Sequence, residues 1–307
     1  MSLVALVKGK GESGFGYGST AEQVTEGLDL RGRTVLVTGS NSGIGLETVR
    51  VLGLRGAQVI AAARTEDKAR AAIQGLAGDF VPVSCELSDP TSVRACVDTV
   101  KRHGRRLDAL ICNAGIMALP KLERAFGYEL QFFTNHIGHF MLVTGLLDAL
   151  AEHGRVVVLS SAAHGSAPPG GIQFDNLSGE KGYWSWIAYG QSKLANLLFV
   201  KELSRRFTGT RKSANAVHPG VIATNLTRSL PAIARVAMTV AAPLALKNAA
   251  QGAATQCYVA VHPQVDGVTG EYFADCNVTR SSRLSRDAAL ATRLWEESER
   301  IVSGLQS

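Results

Sequence analysis

The sequence predicts an α/β fold in three αβα layers, a doubly wound parallel sheet with helices on both faces. Three observations predict it: short β-branched apolar runs alternate with segments of helical periodicity, a glycine-rich turn joins the first run to the first helix, and no low-complexity linker interrupts positions 30–305. Strand and helix in steady alternation require crossovers, and crossovers place helices on both faces of a parallel sheet. The expected organisation is an N-terminal arm with a short helix over 1–29, then one domain over 30–307.

In chain order, Lys8–Ser19 is rich in Gly and Ser and reads as a loose arm leading into a capping helix over Thr20–Leu28. Thr34–Val37 is too short for a helix and ends in glycine, so it reads as a buried strand. Ile44, Leu46, Val49, Val51, Leu52 and Leu54 recur at helical spacing over Gly43–Leu54, and Gly56 stops that helix. Further strands are expected at Val59–Ala63, Phe80–Cys85, Leu107–Cys112, Val156–Ser160, Ala214–His218 and Gly270–Phe273, with helical stretches between them. Gly165–Trp186, with Pro168-Pro169-Gly170-Gly171 and Trp184/Trp186, is a long interval that either shapes a substrate mouth or is a plain surface excursion. Leu230–Leu246 is apolar but broken by Pro231, Arg235 and Pro243. That makes it a poor membrane span, and it reads instead as part of a substrate cover around 225–250.

Composition excludes several classes. With 46% hydrophobic and 19% charged residues the 307-residue chain is an ordinary soluble globular protein. The net charge of +6 is scattered, with only short clusters such as Lys101–Arg106 and no nucleic-acid-reading motif, so no nucleic-acid partner is expected. Cysteines 85, 96, 112, 257 and 276 are odd in number, widely spaced and lack a Cys-x-x-Cys, which argues against a disulfide framework and a zinc site. The expected compartment is the reducing cytoplasm. Met1–Val7 is too short for a signal sequence or a spanning helix. His136 and His139 have no third ligand at suitable spacing, so no metal is expected. Ser161 is not in a Gly-x-Ser-x-Gly elbow, which leaves triad hydrolysis without support.

The first chemical signal is Thr38-Gly39-Ser40-Asn41-Ser42-Gly43-Ile44-Gly45, between a strand and a helix. A dinucleotide pyrophosphate needs close backbone approach and a helix N-terminus, so Gly39, Ser40, Ser42, Gly43, Ile44 and Gly45 are candidate binding residues in a Rossmann-type fold. The second strand ends Ala61-Ala62-Ala63-Arg64 without a carboxylate for a ribose 2′-hydroxyl. A guanidinium there suits a 2′-phosphate, so the expected cofactor is NADP(H); the alternative, with Glu66 and Asp67 nearby, is a merely solvated Arg64. The second signal is Tyr189 and Lys193, four apart on one helical face. A tyrosine that ionises near 10 is a poor acid/base at neutral pH, and a neighbouring ammonium together with an oxidised, cationic nicotinamide is expected to favour its phenolate.

The ordered set Thr38…Gly45, Asn113-Ala114-Gly115, Asn135, Ser161, Tyr189/Lys193 and Pro219-Gly220 resembles the short-chain dehydrogenase/reductase superfamily over positions 30 to about 275. Asn135-His136-Ile137-Gly138-His139-Phe140, Ser160–His164, Tyr189–Asn196 and the stretch from Gln251-Gly252-Ala253-Ala254 to Phe273 resemble its retinol dehydrogenase-like and WW-domain oxidoreductase-like branch. The resemblance implies Tyr189 as general acid in carbonyl reduction and Lys193 as the holder of the nicotinamide ribose. It implies Ser161 as a hydrogen-bond partner of the substrate oxygen and Asn135 as the holder of a relay water. It further places Asn113, Ala114 and Gly115 along the cofactor, and Pro219, Gly220, Ile222 and Thr224 against the nicotinamide. Glu86-Leu87 stands where many relatives carry Asp-Leu at the adenine. Strand alternation turns Ser160 away if Ser161 faces the site. The expected function is reversible carbonyl–alcohol conversion on a hydrophobic small molecule, by an enzyme that could assemble as a homo-oligomer. The alternative is an NADP(H)-binding redox sensor or scaffold with little turnover.

Overall fold

A computed structural model describes residues 8–222 and 246–305. The predicted cover lies mostly outside the described residues, as does Thr224. The strands are β1 (Thr34–Thr38), β2 (Gln58–Ala63), β3 (Asp79–Ser84), β4 (Leu107–Cys112), the short pair β5 (Arg124–Ala125) and β6 (Tyr128–Glu129), β7 (Leu150–Leu159), β8 (Ser213–His218), β9 (Tyr272–Ala274) and β10 (Asn277–Val278). Eight of them form one sheet in the order β10-β9-β8-β7-β4-β1-β2-β3, parallel except for the β9–β10 pair. The chain winds from β1 outward through β2 to β3, then returns to place β4 on the other side of β1. That reversal opens a crevice at the carboxyl ends of β1 and β4, where open α/β sheets bind ligands.

Both faces of the sheet are dry because consecutive strand residues point to opposite sides. Val35 and Val37 join one apolar cluster with Val59, Ala61, Ala109, Ile111 and Val157. Leu36 joins the other, with Ile60, Leu110, Val156 and Val158. The first cluster is closed by α2 (Gly43–Leu54) and α8 (Ala249–Val261). The second is closed by α4 (Pro90–Arg102), α6 (Gly138–Gly145), α7 (Ser185–Arg206) and α9 (Ala288–Gly304). On α9, Trp295 meets Phe140 edge-on at 4.9 Å and stacks on Phe199 at 5.7 Å. Burial of one such aromatic contributes about 2–3 kcal/mol.

Strand β7 begins six residues before the expected Val156, and two expectations for the N-terminal segment change. The capping helix α1 is a single turn, Ala21–Val24, because Thr20 caps it with Gln23 in a reciprocal box and the chain has turned by Gly27, where φ is +74°. The segment expected to be a loose arm is tied down. Ser13 N–H donates to Asn277 Oδ1 (3.0 Å), Asn277 Nδ2 donates to Phe15 O (3.1 Å), and the Phe15 ring packs edge-on against Tyr258 on α8. Glycine content suggested flexibility, but Phe15 and Tyr17 supply apolar anchors that outweigh it.

Candidate active site

The glycine turn leaves β1 and enters α2 at the sheet reversal. Gly39 and Gly43 have φ of +67° and +57°, a region that favours glycine. Gly45 is required for space instead: a Cβ there would lie 2.2 Å from Gly39 O and 2.5 Å from Asn113 Nδ2. Ser42 stands at the N-cap of α2 without a side-chain cap bond, which leaves the first-turn amides to an anion. Ser40 faces inward, its hydroxyl (3.0 Å) and its backbone N–H (3.1 Å) both donating to Ala62 O. Ile44, Gly252 and Ile222 meet on the α8 side, where a Cβ on Gly252 would sit 2.6 Å from Ile222 Cδ1.

Thr38 fastens this turn to β4. Its hydroxyl accepts the N–H groups of Asn113 and Ala114, both at 3.0 Å, and lies 2.9 Å from His139 Nε2. His139 Nδ1 donates to Asn135 O (3.0 Å), so Nε2 is the acceptor for the Thr38 hydroxyl and the ring is neutral. Burial, with the Lys193 charge nearby, pushes that imidazole down to about 4. Arg64 follows β2 at the rim, exposed, and among the described residues it makes no ion pair. Glu86 is turned onto Ser88, whose N–H and hydroxyl both donate to its Oε1. Leu87 is buried against Gly138.

Asn135 lies in a π-helical stretch, Phe133–Ile137, between α5 (Leu130–Phe132) and α6. Its amide clamps Ile116, accepting from the N–H (2.8 Å) and donating to the carbonyl (2.9 Å), and it also donates to Ser192 Oγ (2.9 Å). A Cβ on Gly115 would lie 3.1 Å from Asn135 Oδ1 and 3.4 Å from Lys193 Nζ, so that glycine keeps the ammonium's surroundings open. Lys193 is buried, donates to Leu159 O (3.1 Å), and is pushed down to about 8 by desolvation.

Ser161 lies beside Tyr189, where its hydroxyl favours the ionised phenol, and that hydroxyl accepts from Ala163 N–H (3.2 Å). Ser160 points the other way, its hydroxyl donating to Lys193 O (2.8 Å) inside the core. His164 positions Ser161: Nδ1 donates to Ser161 O (2.6 Å) while Nε2 accepts from Ser282 N–H (3.1 Å). Burial raises the Tyr189 phenol, and the Ser161 hydroxyl beside it offsets only part of that rise. The ammonium stands 5.7 Å from the ring centroid and is itself weakened by burial. Pro219, Gly220 and Ile222 continue β8 beside Ser161, with Ser160 N–H donating to Val217 O (2.8 Å).

Three groups were not assigned roles from the sequence: Thr38, Ser192 and His139. Each lies inside a quoted motif, so the signal was present, but their function is to aim backbone and amide groups, which becomes visible only in three dimensions.

The fold and the order of these groups define the dinucleotide-binding α/β class. Within it the chain belongs to the short chain dehydrogenase family, which it matches over residues 33–233. It is 43% identical to Short-chain dehydrogenase TIC 32 B, chloroplastic, of Brassica napus, over 99% of this chain and 100% of that protein. It is 36% identical to mouse (Mus musculus) retinol dehydrogenase 14, over 90% and 88%, which sets it in the retinol dehydrogenase-like branch. A solved structure of an uncharacterised protein from Mycobacterium paratuberculosis superposes with a TM-score of 0.75 at 35% identity, covering 91% of this chain and 97% of that one. The protein is thus an oxidoreductase of CH–OH/C=O groups that uses a nicotinamide cofactor. Among the described residues no helix is long and apolar enough to cross a membrane, and no cluster of His, Cys, Asp and Glu could hold a metal.

Proposed function

We propose that the protein interconverts a carbonyl and an alcohol on a hydrophobic small molecule with NADP(H), Tyr189 acting as general acid in reduction and general base in oxidation. The observation that carries this reading is the meeting of Ser161 with Tyr189 beside the buried Lys193, at the ligand-binding edge of the sheet. The residues fit the cofactor: Gly39 and Gly45 leave no space for side chains where backbone must approach, and the uncapped α2 terminus suits a pyrophosphate. When bound, the nicotinamide supplies or accepts hydride at the substrate carbon. Ser161 orients the substrate oxygen, Tyr189 gives its phenolic proton to that oxygen, and Lys193 holds positive charge beside the ribose. Exposed Arg64 supports the 2′-phosphate. The Trp186 ring, 6.1 Å from that of Tyr189, and half-exposed Ile187 support an apolar substrate. The 225–250 region is read as its cover, and the free, buried cysteines support a reducing compartment such as the cytoplasm.

The test is NADPH and NADH consumption, at equal concentration, over a panel of aromatic and aliphatic carbonyls. Turnover favouring NADPH is expected, and Arg64→Ala should narrow the preference by about tenfold or more. A clear NADH preference overturns the cofactor assignment. Tight binding without turnover across the panel overturns the enzyme reading in favour of a sensor.

A further inference from the structure

One buried charge is not used by the chemistry above. Lys247 is 1% exposed, and its Nζ stands 2.7 Å from Asp275 Oδ1. Taking an ammonium out of water is costly even when paired, so its position calls for a structural role. Its backbone N–H donates to Val221 O (2.9 Å), and it bridges Ile222 in parallel register. Its stem lies over Gly220, where φ is +90° and a Cβ would come within 2.7 Å of Lys247 Cδ. The segment from Pro219 to Ile222, which leaves β8 next to Ser161, therefore rests on this side chain.

The ion pair is closed by the N-terminal arm. Asp275 Oδ2 also faces Lys8 Nζ at 3.6 Å, and the Lys247 and Lys8 ammonium groups stand 4.9 and 5.1 Å from the centroid of the Tyr17 ring. An aromatic face attracts both cations and excludes water, which strengthens the pair beneath it. His218 and the buried Cys276 thiol also face the cluster, and burial raises the thiol so that it stays protonated. For His218 the effect runs the other way. Burial first, then the Lys247 charge, push it down to about 4, so it stays neutral and does not compete for Asp275.

We propose that Lys247 is a positioning residue for the nicotinamide end of the cofactor site, and that the arm, through Tyr17 and Lys8, is the lid of its ion pair. The inference rests on the oxidoreductase reading, which assigns the nicotinamide to the 219–222 loop. Docking of the arm then governs affinity at one end of the dinucleotide and leaves the adenosine end, held by the glycine turn and Arg64, untouched.

Three variants of the full chain test it. K247M keeps the stem over Gly220 and removes the charge. D275N removes the carboxylate at a left-handed φ of +52°, which Asn also tolerates. Y17L opens the lid. Each is titrated with the dinucleotide the wild type binds, NADPH or NADH, and with its adenosine half, adenosine 2′,5′-bisphosphate or ADP. The dinucleotide Kd should rise about tenfold in all three, with the adenosine half bound as in the wild type. Unchanged dinucleotide affinity in K247M and D275N overturns the inference, and so does an equal loss for both ligands, the mark of general loosening. A wild type that binds neither dinucleotide overturns the oxidoreductase reading and this inference with it.

Discussion

Ser160 and Ser161 are adjacent, and the alternation of side chains along an extended chain sends them to opposite sides. Ser160 is committed to Lys193 O, whereas Ser161 lies beside the phenol. Ser161→Ala should lower kcat about a hundredfold, while Ser160→Ala should keep most turnover and cost about 1 kcal/mol of stability for a lost buried hydrogen bond; steady-state kinetics and urea melts on both variants check this. The alternation of the two side chains was expected from the sequence. The electrostatics of Tyr189 and Lys193 were not, because desolvation depends on everything packed around them. Lys193, pushed down to about 8, loses its proton as pH rises through that value, whereas the raised Tyr189 phenol keeps its own. Carbonyl reduction, followed as kcat/KM for the reduced cofactor, should therefore fall above about pH 8. Lys193→Arg, whose guanidinium does not titrate there, should be slower but lack that limb. A wild-type profile flat through pH 8–9 would remove Lys193 from the chemistry.

At the scale of elements, those with a clear apolar period were legible and the one-turn ones were not. β1, α2, β2 and β4 lie where apolar periodicity placed them, since their side chains serve two dry faces at once. The β5–β6 pair is two residues per strand, too short to carry a period. The π-helical stretch at Asn135 is a one-residue slip in hydrogen bonding, which leaves no mark in an apolar pattern. Gly165–Trp186, for which the sequence allows either a substrate mouth or an idle excursion, is fastened by Tyr183, whose hydroxyl donates to Leu119 O (2.7 Å), and by Gln173 N–H donating to Gln191 Oε1 (2.9 Å). The glycine turn yields the sharpest contrast. Gly43 has open space around it, so Gly43→Ala meets only backbone strain of about 1 kcal/mol. Gly45→Ala collides with the Gly39 carbonyl and forces the turn apart. It should destabilise by about 1–3 kcal/mol and raise the cofactor Kd more than Gly43→Ala does; fluorescence titration of both variants decides.

Over the whole molecule, the class of fold was legible but the order of its strands was not, because parallel neighbours such as β1 and β4 are joined only through distant crossovers. Nor was the docking of the arm, which depends on contacts between Phe15 and residues more than two hundred positions away. The same packing that hides the sheet also traps histidines in their neutral form. His136, with Nε2 2.8 Å from Ser298 Oγ among Phe132, Phe140 and Phe199, is pushed down to about 3 by burial, and His139 and His218 to about 4. In the unfolded chain each would titrate near 6.5. The folded pKa values are the lower ones, so below about pH 6.5 the unfolded state binds more protons and stability declines as pH falls. By pH 4 the loss should be about 3 kcal/mol for each of His136 and His139. Urea midpoints between pH 7 and pH 4 should therefore drop steeply, and His136→Leu, which removes one titrating group from an apolar setting, should flatten the drop. An unaltered slope in that variant would mean that carboxylates, and not the buried imidazoles, set the acid limit of this fold.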